Sequence, residues 1–260
     1  MRNIREHRQP QTSGYDTLFG ASPLARAMTQ TQAAKISEGS TLEKVVVDKA
    51  SFVLDLSVSE NLTLLLSASL PILDKPYVVC KTHVKKFLWP ALVSHKVQNW
   101  EELTKTQQQE IMQKHFGHEP DMLLIDMHEK NMTLVELKSF CVFDTEKSSA
   151  IAHKIKTMPQ KYDLPYKKRG LVVSFYAESK PQIVEGMKKR VKEESVMTGK
   201  EFLDVISKSS VNSVMELTQG CHTDNVMFVL EQALESALSH PKHLKEVLEK
   251  FPQIREMLQS

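Results

Sequence analysis

The chain of 260 residues is poor in cysteine: Cys80, Cys141 and Cys221 are an odd number at wide spacing. That argues against a disulfide framework or a cysteine-built zinc cluster, and the three read as small buried hydrophobes. Glycine is scarce too, at eight residues, and no Gly-rich loop of the kind that cradles phosphates appears. No internal repeat is evident. No run approaches the roughly eighteen apolar residues that a membrane-spanning helix needs. The polar start MRNIREHRQPQTSG lacks the apolar centre of a secretory leader. These absences lead to the expectation of an intracellular protein with no membrane span. A net charge of +2 excludes neither acidic nor basic partners.

What is present converges on one stretch, EPDMLLIDMHEKNMTLVELKSF, at 119–140. Met122 to Asp126 and Thr133 to Phe140 are apolar runs joined by polar His128-Glu129-Lys130-Asn131, the pattern of two antiparallel strands and their turn. Side chains alternate along a strand, so Glu136 and Lys138 share one face while Val135 and Leu137 take the other. Asp121, at the mouth of the first strand, can converge on the face of Glu136. An acid and a lysine are hard to bury in an apolar strand without a purpose. Two carboxylates offer hard oxygen ligands to Mg²⁺, which keeps several waters and shares its octahedron with a phosphate. Such an ion activates water and stabilises charge on phosphorus-bound oxygens. A lysine two residues past the second acid can orient that water or meet the developing charge.

Pro120-Asp121, a spacer of fourteen residues and Glu136-Leu137-Lys138 resemble the PD-(D/E)XK signature of the restriction-endonuclease-like nucleases. The resemblance is closest to type II restriction endonucleases and covers about residues 35 to 205. It implies a nuclease using one or two Mg²⁺ or Mn²⁺ ions, with DNA favoured as substrate and RNA left open. Asp121 and Glu136 would be metal ligands, the backbone carbonyl of Leu137 would complete the set, and Lys138 would be the catalytic lysine. In this superfamily a helix ahead of the hairpin often presents a glutamate to the metal. GSTLEKVV at 39–46 looks like such a segment, with Glu43 the candidate and Glu38 the reserve. Phe143-Asp144-Thr145-Glu146-Lys147 is similar to the run that leaves the catalytic strand in several type II enzymes, and Thr198 to Phe202 resembles a later "TGxEF" segment. Gln160 and Tyr162 stand where the RecB and λ-exonuclease branch carries a Gln and a Tyr, at shorter spacing, and are accessory candidates. His115 and His118 flank the hairpin and stay outside the core set.

From Lys147 to Arg169 there are seven cations, Lys147, Lys154, Lys156, Lys161, Lys167, Lys168 and Arg169, against the single acid Asp163. Clustered cations gain affinity for a phosphate backbone by releasing counterions. The run is therefore a candidate nucleic-acid contact, although a solvated helix face is the commoner meaning of such a run.

The remaining pattern reads as an α/β protein: a mixed central sheet flanked by helices, with a helical C-terminal extension. Residues 1–34 form a basic arm (Arg2, Arg5, Arg8, Arg26), 35–210 the nuclease core and 211–260 the extension. Helical spacing appears at Trp100 to His115 and from Thr145 onward. Gly170 to Tyr176 reads as a central strand covered on both faces. Pro181 suits the first turn of a helix, and Lys85 to Pro90 is expected to lead into a turn. Two other readings stay open: a nuclease attached to a viral or mobile-element polymerase, and a non-catalytic nucleic-acid-binding module. Two-fold cutting at a palindrome would favour a homodimer.

Overall fold

The computed structural model describes residues 42–208 except Val142, all within a compact unit spanning Thr41–Leu217. The expected arm at 1–34, the extension at 211–260, and Glu38 lie outside the described residues. The elements are helix α1 (42–49), strand β1 (Phe52–Val53), helix α2 (Ser59–Leu66) and strand β2 (Tyr77–Cys80). Helix α3 begins at Lys81–His83, widens into a π turn at Val84–Leu88 and resumes at Trp89–Val93. Then come α4 (Lys105–Phe116), β3 (Met122–Asp126), β4 (Asn131–Lys138) and α5 (Thr145–Thr157). Strand β5 (Lys167–Ser174), α6 (Lys180–Gly186), β6 (Val196–Thr198) and α7 (Gly199–Ile206) complete the unit.

Local chemistry explains most boundaries. Thr104 and Gln107 form a capping box at the start of α4, and Asp144 accepts the Lys147 N–H to start α5, satisfying donors that a helix start leaves free. Pro181 sits in the first turn of α6 as expected. Lys85 to Pro90 differs: it is helical. Trp89 N–H closes the wider turn onto Val84 C=O, directly before Pro90, which has no N–H to give and would crowd a regular turn.

The six strands form one mixed sheet in sequence order, β1 to β6. β2, β3 and β4 are antiparallel neighbours, while β1 pairs parallel with β2, and β4, β5 and β6 run parallel. Helices α5 and α6 supply the crossovers that parallel neighbours require. This bears out the expected mixed sheet with flanking helices and fits a restriction-endonuclease-like core. Both faces are covered. Val79, Leu123, Ile125, Met132 and Leu134 pack with Trp89 and Phe116 on one side. Val78, Met122, Leu124, Val135 and Leu137 pack with Leu42 and Val46 of α1 and Phe202 and Leu203 of α7 on the other. Beyond the first cluster, Val172 meets Ile151 of α5 and Ile183 of α6.

Helix α5 lies so close to β5 that a Cβ on Gly170 would sit 2.1 Å from the Ile155 carbonyl oxygen. Gly170→Ala must therefore push the helix off the sheet. It is expected to lower stability by about 1–3 kcal/mol, the usual cost of overpacking. Urea denaturation checks this, and an unchanged midpoint would contradict the close approach.

Candidate active site

The hairpin forms with Met122 opposite Val135, and β2 adds Cys80 opposite Met122. One residue further along each strand stand Lys81, Asp121 and Glu136, cross-strand neighbours at one end of the sheet. Asp121 N–H donates to Val135 C=O at 3.0 Å, and Asp121 Oδ2 accepts the Leu137 N–H at 2.7 Å. The side chain of Asp121 thus replaces a ladder partner that β3 is too short to supply. Lys138 C=O accepts from Phe175 N–H on the β5 side, so by alternation the backbone of Leu137 faces the Asp121 side. Glu136 is only 8% exposed. Its Oε1 accepts from Lys138 Nζ at 2.7 Å and its Oε2 from Lys154 Nζ at 2.5 Å. Lys154 also donates to Glu119 C=O at 3.1 Å.

Two further acids border this group. Glu43 of α1 lies 4.0 Å from Lys81, which is 3.6 Å from Asp121 Oδ1. Glu119 lies 3.5 Å from Lys85 of α3. Burial pushes the Glu43 carboxyl up, and Asp121, Glu119 and Glu136 add to that push against the pull of Lys81. Asp121 is likewise raised, first by burial and then by the charge of Glu136. Glu136 is desolvated too, but Lys138 and Lys154 outweigh burial and hold its carboxyl below the usual range. Burial also opposes ionisation of Glu119, yet its own backbone N–H, Lys85 and Lys81 together keep it lowered. Glu136 is the acid of the pair that stays ionised, and Asp121 the one that resists.

The structure brings Asp121, Glu136, Lys138 and Glu43 together, but it divides the seven cations of 147–169. Lys147 is exposed at the start of α5 and paired with Asp144 at 3.4 Å. Lys154 turns inward to Glu136 instead of presenting itself to a ligand. Lys156 is exposed on α5. Lys161 and Lys168 donate to the carbonyls of Phe116 and Tyr162. Lys167 and Arg169 pair with Asn131 and Thr133 at the turn end of β4, seven and five residues, or about 23 and 16 Å, from Lys138 at the rise of a strand. A helical crossover and a return strand separate residues that are close in sequence. Tyr162 is a correction of another kind: it is fully buried, and its hydroxyl accepts from Trp89 Nε1 at 2.8 Å. That makes it a core residue beside Phe116, with no surface for a substrate, while Gln160 is exposed. Sequence reasoning did not assign Lys81, Lys85 or Glu119 to the site. Glu119 opens the EPD triplet, and Lys81 follows the end of β2, so strand order was the signal needed.

Among the described residues, no three Asp, Glu, His or Cys side chains form a cluster able to hold an ion. The donor set nonetheless suits Mg²⁺, which is commonly bound by one or two carboxylates and completes its shell with water. Asp121 and Glu136 provide hard oxygens whose mutual repulsion a cation would relieve. No helix among the described residues is long and apolar enough to cross a membrane.

The sequence is 21% identical over 231 residues to the type II restriction enzyme HhaII of Haemophilus parahaemolyticus, covering 88% of this chain and 91% of the relative. The chain is distantly related to a type II restriction enzyme. A match of that length cannot rest on the hairpin alone. No protein-family model matches the sequence, and no solved structure matches it.

Because the Asp121 carboxyl is raised, its ionised form costs stability above the raised value, and the cost vanishes below the ordinary carboxylate range. Asp121→Asn keeps an acceptor for the Leu137 N–H and removes the charge. It should raise the thermal midpoint at pH 7 by about 2–4 °C, the effect of roughly 1 kcal/mol in a domain of this size. The gap should close as the pH falls below about 4. Calorimetric scans across that range test it, and a lower midpoint at pH 7 would refute it.

Proposed function

We propose that the protein is a metal-dependent endonuclease that hydrolyses phosphodiester bonds in DNA. The observation that carries this reading is the meeting of Asp121, Glu136 and Lys138 at one sheet end, where two acids oppose each other across the hairpin. The similarity to a type II restriction enzyme, over most of both chains, favours DNA as the substrate.

Asp121, Glu136 and the Leu137 carbonyl would hold Mg²⁺ or Mn²⁺, with Glu43 bordering the same space. When bound, the ion supplies positive charge to the phosphate and lowers the pKa of a water. The protein's own residues do the rest. Glu136 stays ionised because Lys138 and Lys154 hold it so. Lys138 adds a compact cation two residues from the ligand, suited to the charge that develops on phosphate oxygens. Lys147 and Lys156 are the cations of the 147–169 run exposed on α5, and Lys147 would exchange its pairing with Asp144 for a backbone phosphate.

Circular and linear DNA and RNA, incubated with Mg²⁺ or Mn²⁺, provide the test. Wild-type protein should cut both DNA forms and leave RNA intact, and removing the ion with a chelator should stop cutting. Lys138→Ala should slow cleavage by about 100- to 1,000-fold, the effect of losing one transition-state charge contact, while metal binding, weakened by the loss of one Glu136 partner, is still detected. If DNA stays intact with either ion, and no metal binding is lost in Asp121→Ala, a non-catalytic nucleic-acid-binding role replaces this one.

A further inference from the structure

We infer that Lys154 is a positioning residue that fixes the spacing of the two acids, Asp121 and Glu136, and does not contact the nucleic-acid backbone. The inference rests on the endonuclease reading and refines it. Lys154 reaches back from the middle of α5, and its ammonium bridges two elements: Glu136 Oε2 on β4 at 2.5 Å and the Glu119 carbonyl just ahead of β3 at 3.1 Å. The side chain is only 20% exposed, and its ammonium is already engaged by both acceptors. Together with Pro120, Leu134, Ile155 and Met158 it lines a small pocket over Glu136.

The second anchor is what gives the bridge its consequence. Between the Glu119 carbonyl and Asp121 stands only Pro120, which is buried. Its ring locks φ and restricts the residue before it, so little torsional freedom separates the atom that Lys154 holds from the acid. Asp121 is held from its other side by Val135 C=O and by the Leu137 N–H. One lysine and one proline thereby tie the β3 acid to the β4 acid, and the proline of the Pro120-Asp121 pair acquires a mechanical role. Lys138 takes the other oxygen of Glu136. Ligating carboxylates are commonly oriented by such outer partners, and losing one weakens metal binding by about 10- to 100-fold.

Mn²⁺ titration by calorimetry, without DNA, reads this directly. Lys154→Met should weaken Mn²⁺ binding by about 10-fold or more, and Pro120→Ala, which alters no charge, should weaken it in the same direction. DNA affinity measured by anisotropy without divalent ions, and its salt dependence, should match wild type for both variants, because no phosphate contact is lost. Wild-type or tighter Mn²⁺ binding by Lys154→Met overturns the inference, the tighter case marking Lys154 as a competing cation. A drop in DNA affinity with unchanged Mn²⁺ binding overturns it in favour of a phosphate contact. Should Lys154→Met fail to unfold cooperatively, Pro120→Ala decides alone, and wild-type Mn²⁺ binding there overturns the inference. Wild-type protein that binds no Mn²⁺ would sink the endonuclease reading as well. Wild-type protein that binds it while the variants bind equally would sink only the positioning role.

Discussion

An ionised carboxylate buried at the end of a central strand is the constraint around which this unit is organised. An isolated charge in that setting is strongly disfavoured, and it persists only when paired and hydrogen-bonded. Glu136 meets the condition through both oxygens, with Lys138 from its own strand and Lys154 from α5. The second cation depends on the seat of α5 against β5, which in turn depends on the missing side chain at Gly170. A bare glycine backbone two strand residues from Val172 is thus connected to the protonation state of an acid on the neighbouring strand.

The sheet's strand order gathers the other participants. Because β2, β3 and β4 alternate in direction, the end of β2, the start of β3 and the end of β4 coincide. Lys81, Glu119, Asp121, Glu136 and Lys138 therefore meet at one edge although they span nearly sixty positions of sequence. Helix α1 brings Glu43 to the same edge by packing Leu42 and Val46 on the face opposite Glu136. The group carries four acids close enough to perturb one another. Such mutual repulsion lowers stability and is the kind of local cost that functional sites retain.

Much of this was legible from the residues. The hairpin followed from alternation and its polar turn, because neighbouring strands joined by a short loop pair locally. The pairing of Glu136 with Lys138 on one face followed from the same period of two. The start of α5 at Asp144 and Pro181 in the first turn of α6 are local chemistry as well. The helical course through Pro90 was not legible, since it depends on a π turn that the burial of Val84, Leu88 and Trp89 stabilises. Tyr162 was an accessory candidate by its place in the chain, which carries no burial. The packing of Trp89 and Phe116 around it settles its place.

The sequence by itself determined which acids and which lysine face one another across the hairpin, because alternation and short-range pairing are properties of adjacent residues. Only the tertiary structure decided what the surrounding charges do. The cations of 147–169 run as one block in sequence, yet a helix and a strand of opposite travel carry them to different ends of the sheet. Lys154 turns inward while Lys147 remains in solvent, because the choice rests on where α5 lands on β5, a contact between residues that no local pattern links.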